Sequence, residues 1–347
     1  MSDTAAGPVA AWRAANLRRA TLSLIGGALL LVSFSADVAT GPAMLPISAV
    51  VRSLAGLGAD PMLDAIVHNL RLPIALMAVV VGATLGVSGA IMQTVLNNPL
   101  ASSYTLGISA GAGFGAALAI LVGGELPLPE NWAIPLAAFV FAGVACAIVG
   151  SVGRMRGATP ELLILAGIAC LFLFQALLSL LQFLASPEAL QQIVFWLFGS
   201  LLRASMGKTT IVAGVLAVAL PLLLKDAWRL TALKLGDERA RALGVHVNGL
   251  RLRAFVVVSL LTGAAVAFVG TIGFIGLVAP HIARMMVGED QRHMLPASAV
   301  FGALLLSLAS LASKLIMPGT VFPIGIITAL IGVPFFGWLV LTTGRVQ

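Results

Sequence analysis

Charge is scarce in this chain. Of its 347 residues only 10% are Asp, Glu, Lys or Arg, too few to cover a soluble domain with polar surface. Acid and base are absent from long stretches altogether: Leu72–Gly124, Asn131–Gly153, Leu162–Pro187, Ala254–Ala283 and Leu315–Gly344. The two cysteines, Cys146 and Cys170, lie inside these apolar runs and imply neither a disulfide framework nor a metal site. The four histidines, His68, His246, His281 and His293, have no metal-ligand spacing. No Ser/His/Asp set and no paired carboxylates fall at membrane depth, so an enzyme has no residues to stand on, and no catalytic residue, metal or cofactor is expected.

What is abundant is apolar: 60% of the residues are hydrophobic. About 20 apolar residues cross a bilayer as a helix, and the runs divide into ten such spans. They cover about 20–36, 73–95, 105–122, 132–152, 162–185, 209–224, 254–270, 275–287, 296–315 and 324–342. A surface helix at 46–57 and a partly helical segment over 186–204 lie between spans. The fold class is therefore an all-α polytopic membrane protein. Residues 1–19 form a cytoplasmic N-terminal segment, and 20–347 the transmembrane domain. No small-residue cleavage site follows Arg13, Arg18 and Arg19, so the first span reads as an anchored helix and not a signal peptide. With both termini inside, fifteen of the twenty Lys and Arg are internal, as the positive-inside rule requires. The net charge of +7 is thus a topology signal and not a nucleic-acid footprint.

A shift of 181 residues pairs Gly82, Ala83, Gly89, Ile91, Leu96, Pro99 and Gly107 with Gly263, Ala264, Gly270, Ile272, Leu277, Pro280 and Gly288. Five spans separate the copies, so they run in opposite directions, an inverted-repeat plan that recurs in transporters. Glycines four residues apart (Gly82 and Gly86; Gly107, Gly111 and Gly115) mark faces where helix backbones approach closely. Two apparent phosphate loops fail. Gly111-Ala112-Gly113-Phe114-Gly115 has Ala116 at the third glycine position, and Gly207-Lys208-Thr209 has Leu202 where the loop's first glycine belongs.

The longest polar stretch is Asp226–Arg253. Within it Leu235–Val245 reads as one short helix, with Asp237 and Glu238 in its first turn, Arg239 and Arg241 after them, and Gly244 as its stop. A compact charged helix between apolar spans is presented to something in the cytoplasm. Earlier, Asn97-Asn98-Pro99-Leu100-Ala101 interrupts an apolar run. Proline breaks the helix there and the amides can satisfy freed backbone groups. Glu161 follows Pro160 and marks the first turn of a helix or the water boundary.

Ordered matches from Arg71 to the C-terminus suggest a family. They include Arg71-Leu72-Pro73, Gly89-Ala90-Ile91-Met92-Gln93 with Asn98-Pro99-Leu100-Ala101, and Leu106–Ala112. Further on come Trp196–Ser200, Leu235-Gly236-Asp237 with Leu243-Gly244-Val245, Gly273–Arg284, and Pro323-Ile324-Gly325 with Gly332–Phe336. The chain resembles the permease subunits of bacterial type II ABC importers, which take up ferric siderophores, haem or cobalamin.

The resemblance implies a homodimer of ten-helix subunits in the bacterial inner membrane. Two cytoplasmic ATPase subunits would dock on Gly236, Asp237, Glu238, Arg239, Ala240, Arg241, Leu243 and Gly244. A periplasmic binding protein would dock at Arg71 and Lys314. The cytoplasmic gate would match Asn98, Leu100, Thr159, Pro160, Glu161 and Leu165. There are three departures: Ile74 where the family often has a second arginine, Ser310 near the place of an Asp, and Val321 for a Glu. The fifth span has no basic residue to grip haem propionates, which favours a ferric siderophore as cargo over haem or cobalamin. The rival from another class is a stand-alone secondary transporter. It would need ionisable residues in its spans for ion coupling, and the expected spans have almost none.

Overall fold

A computed structural model describes residues 8–41, 45–58, 60–123, 128–316 and 320–343. Ten apolar helices run back and forth. They are α1 (Pro8–Ala39), α4 (Leu72–Val95), α5 (Ile108–Val122), α6 (Glu130–Arg156), α7 (Pro160–Leu184), α9 (Met206–Lys225), α12 (Val247–Val269), α13 (Ile275–Val287), α14 (Gln291–Leu315) and α15 (Ile324–Thr343). Seven of them are long and apolar enough to cross a membrane; α5, α13 and the Ile324–Gly337 stretch of α15 are shorter apolar helices. The connections hold α2 (Ile47–Leu54), α3 (Pro61–Ile66), α8 (Pro187–Leu197), α10 (Ala227–Leu233) and α11 (Asp237–Ala242).

Several boundaries differ from the sequence reading. The first helix begins at Pro8 and runs to Ala39, continuing through the Gly26-Gly27 pair, with no proline between Pro8 and its end. Asp37, outside the expected first span, is therefore helical. The helix α4 does not start at the membrane edge. It continues α3 through a π-helical turn, Val67–Arg71, into a single rod over Pro61–Val95. The charged stretch holds two short helices, α10 and α11, in place of one.

The hydrophobic pattern explains the layering. Apolar residues ring α4 on all sides, so it is buried on nearly every face and forms the centre of the bundle, with α12 and α14 around it. By contrast α1, α7 and α9 leave large apolar side chains exposed, among them Leu31, Phe172, Phe183 and Val218. Such surface is stable only against lipid or a partner. The two copies of the Gly/Ala pattern fall on α4 and α12, which pack together. The copies diverge after that: α13 continues the second copy as helix, where the first has the irregular segment 96–107.

The small residues permit the central crossing. A methyl on Gly82 would stand 2.3 Å from the Gly302 carbonyl oxygen, and one on Gly302 would stand 2.2 Å from the Gly82 carbonyl oxygen. Only glycine at both positions lets α4 and α14 meet so closely. On α5, Gly111 and Gly115 give the same freedom against Phe141 and Ala137 of α6.

Candidate functional site

The polar chemistry gathers at the two ends of the bundle. One end holds the charged stretch, the C-terminus of α4 and the N-terminus of α7. The α11 helix is six residues long, too short to be stable without tertiary support. Its support is visible on two sides. Ala240 is completely buried in the core that contains Leu233, Val245 and Leu250. Asp237 is gripped from below by Arg251 of α12, whose Nη1 and Nη2 donate to the two carboxylate oxygens at 2.6 and 2.5 Å. Gly244 adopts the left-handed conformation (φ 81°) that stops the helix. Glu238, Arg239, Arg241 and Leu243 face outward, Arg241 also lying 3.7 Å from Asp237. Of the residues expected to meet a partner, Ala240 is a correction: it anchors α11 and is not accessible.

Arg251 does more than hold Asp237. Its side chain is only 2% exposed. Its Nε donates to the Val95 carbonyl at 3.0 Å and its Nη1 to the Ala158 carbonyl at 3.2 Å. Val95 ends α4, where carbonyls lack intrahelical partners, and Ala158 immediately precedes the N-cap of α7. The chain after Val95 turns at Asn97, which takes a positive φ of 45°. Asn98 Oδ1 accepts from the Leu100 N–H at 2.9 Å, so an amide does satisfy backbone freed by the break. Thr159 caps α7 by accepting from the Leu162 N–H, Pro160 occupies the first turn, and Glu161 is exposed beside it. These segments border one cleft of about 340 Å³, lined by Asn97, Thr159, Glu161, Gly236, Asp237 and Arg251. Leu100 and Leu165 are exposed at this end, 47% and 66% respectively. A second, half-buried guanidinium works nearby: Arg284 Nη2 of α13 donates to Gln93 Oε1 of α4 at 2.7 Å.

The other end carries Arg71 and Lys314, both nearly buried. Arg71 Nη1 donates to the carbonyls of Ala39 and Val38 at 2.6 and 3.3 Å, closing the C-terminus of α1. Lys314 pairs with Asp37 at 2.8 Å and also donates to the Asp37 carbonyl at 2.9 Å. Ser310 Oγ is 3.0 Å from each Asp37 carboxylate oxygen. Ser310, where the resemblance implies an Asp on α14, thus meets an acid supplied by α1. Both cations border a cleft of about 260 Å³, whose walls include Ile74, Val321 and Phe322.

A third cleft, of about 710 Å³, is walled by Tyr104, Phe198, Phe274, Leu277, Leu330 and Val333. Its walls are mainly apolar. Phe274 holds a positive φ (66°), rare for an aromatic residue. Its ring lies where a Cβ on Gly332 of α15 would be, so two of the motifs quoted above meet at this wall.

Asp37 and Arg251 escaped sequence reasoning. Arg251 was one more internal cation in the positive-inside pattern, and Asp37 fell just past the expected end of a span. An acid within three residues of a span end, with no basic residue nearby in sequence, is the signal that could have flagged Asp37.

Among the described residues, seven helices long and apolar enough to cross a membrane, three shorter apolar helices and polar clusters at both ends mark a membrane-spanning protein. The chain belongs to the FecCD transport family, which matches residues 29–342. The Fe(3+)-citrate import system permease of Bacillus subtilis (strain 168) is 35% identical over 331 residues, covering 95% of this chain and 98% of that one. The hemin transport system permease of Yersinia pestis is 40% identical over 283 residues, covering 80% and 84%. Among solved structures, an inward-facing ABC transporter assigned to the metal-chelate type shares 31% identity and a TM-score of 0.81, covering 93% of this chain and 99% of that one. The chain is a multi-pass transport permease.

Proposed function

We propose that this chain is the permease subunit of an ATP-driven importer that moves an iron complex, a ferric siderophore, from periplasm to cytoplasm. Two copies form the pathway, and two separate ATPase subunits dock at the α11 end, which is the cytoplasmic one. The observation that carries this reading is the construction of α11. One face is exposed and charged, while Asp237 on the other is held by Arg251 of α12, which also bonds the end of α4 and the residue before the N-cap of α7, beside the gate residues Asn98, Leu100, Thr159–Glu161 and Leu165. A helix built this way transmits a push, and a protein that performed its own energy conversion would have no need of it. The chain needs no catalytic residue: it supplies two arrangements of packed helices, and the partners bias them.

The binding protein docks at the opposite end. An acidic side chain entering the cleft beside Arg71 and Lys314 meets the Arg71 guanidinium and the Lys314–Asp37 ion pair. Relatives named for Fe(3+)-citrate, hemin and iron(3+)-hydroxamate support an iron complex as cargo. The absence of basic residues in α7 to grip haem propionates favours a siderophore over haem.

The test is uptake into proteoliposomes holding this chain with its ATPase subunits, loaded externally with binding protein and ferric siderophore. Uptake that requires ATP and all three components is expected. Uptake by the isolated chain, or driven by an ion gradient without ATP, would overturn the proposal in favour of a secondary transporter.

A further inference from the structure

We infer that Arg251 is the positioning residue that makes α11 and the two gate segments move as one body. The inference rests on the importer reading and adds to it a named linkage. One guanidinium meets three segments far apart in sequence: Asp237 at the start of α11, Val95 at the end of α4 and Ala158 just before α7. All five N–H groups of arginine lie in a rigid plane, so a shift at one edge of the fork must be followed at the other or break a bond. Charge-assisted bonds to a carboxylate are among the stronger hydrogen bonds in proteins, and this one is shielded from water on the arginine side. The six residues of α11 have few other means of passing displacement inward: Ala240 offers only a methyl group to the core. Directly beyond the two carbonyls lie Leu96–Leu100 and Thr159–Glu161, the segments assigned to the gate.

A simple staple would hold the same atoms, and the two roles differ in what is lost. A staple's removal lowers assembly and hydrolysis along with transport. Removing a linkage lowers the transport obtained per ATP. Lysine at position 251 keeps the charge and loses the fork, and Asp237→Asn weakens the bond from the other side.

The experiment measures siderophore uptake and ATP hydrolysis in the reconstituted complex for the parent, R251K, D237N and the double variant. The expected result is a fall of about tenfold or more in uptake per ATP for each single variant, the scale of an ordinary coupling energy. The double variant should fall no further, because both changes cut one link. An unchanged ratio in R251K overturns the inference, as does a double variant whose loss is the product of the single losses. Proportionate loss of hydrolysis and uptake also overturns it, leaving a staple. Absence of ATP-driven uptake in the parent is a failure of the importer reading instead.

Should the variants fold poorly, spin labels on otherwise parent protein decide the matter. Labels at Leu243→Cys and Leu100→Cys should keep one separation with and without nucleotide, while both shift relative to Met206→Cys at the far end of the bundle. A Leu243–Leu100 separation that changes with nucleotide overturns the inference.

Discussion

Lys314 Nζ stands 2.8 Å from Asp37 Oδ1, with the side chains 4% and 0% exposed, across 277 residues of chain. The pair completes a polar seam between α1 and α14 that starts with Ser33 and Ser307, whose hydroxyls share a 2.8 Å hydrogen bond. An ion pair this deep is held by desolvated partners, and removing one strands the other. Asp37→Asn or Lys314→Met alone should therefore cost about 3–5 kcal/mol, while Asp37→Leu with Lys314→Met together should lie near the parent. Unfolding midpoints in detergent for the three variants check this. Additive losses in the double variant would mean that the two residues are not coupled.

Ala240 of α11 and Leu243, the C-cap just past its end, are three residues apart and differ in burial: Ala240 is 0% exposed and Leu243 50%. Ala240→Asp forces a carboxylate into the core and should cost about 2 kcal/mol or more. Leu243→Asp should leave the fold intact and weaken association with the ATPase subunits. Co-purification and the unfolding midpoint, measured on both variants, separate the effects. Leu243→Asp with full ATPase association would remove α11 as the docking surface.

The α4–α14 crossing depends on bare backbone at Gly82 and Gly302. Gly82→Val should push the helices apart at a cost of about 1–3 kcal/mol or more, the usual scale for overpacking. Gly150, with open space around it, should accept alanine with little change. Comparable unfolding midpoints for the two variants would contradict the packing.

The contrast between what the sequence disclosed and what it withheld follows from the range of the interactions. Charge-free runs located ten helices because burial in lipid acts on every residue of a span at once. Glycine spacing marked the crossing faces, since close approach constrains a whole face. Gly244 and Thr159–Pro160 were legible as stop and start, because capping is local. The Asp37–Lys314 pair and the Arg251 fork were not. Each joins residues distant in sequence, and no period or spacing records such a meeting. Ala240 was misread because a six-residue helix shows too few turns for its buried face to be told from its exposed one.

Gate residues can be tested by their dependence on the nucleotide state. Leu100 and Leu165 are exposed near the cleft that Arg251 borders. Cysteines at Asn98, Leu100 and Leu165 should cross-link between two copies in one nucleotide state and not in another. Identical cross-linking at all three positions in every state would count against a gate there.

The opposite end poses a choice between docking and anchoring. Arg71 and Lys314 border one cleft, yet both are bonded to α1: Arg71 to the carbonyls of Val38 and Ala39, Lys314 to Asp37. Reversal to Glu would be uninformative, since Glu at 314 would face Asp37 and disturb the fold before any docking could be read. The cleaner variant removes the pair together, Asp37→Asn with Lys314→Gln, and adds Arg71→Gln. If the binding protein inserts an acidic side chain beside these cations, the triple variant should associate more slowly. It should also lose the parent's slowing at high salt, because salt screens attraction between surface charges more than about 8 Å apart at physiological ionic strength. Association with the ATPase subunits, at the far end of the bundle, should be unchanged. Binding kinetics of the purified complex at low and high salt check this. If the triple variant binds as fast as the parent under both conditions, Arg71 and Lys314 serve only to fasten α1 to the bundle, and the binding protein must find its footing elsewhere on this face.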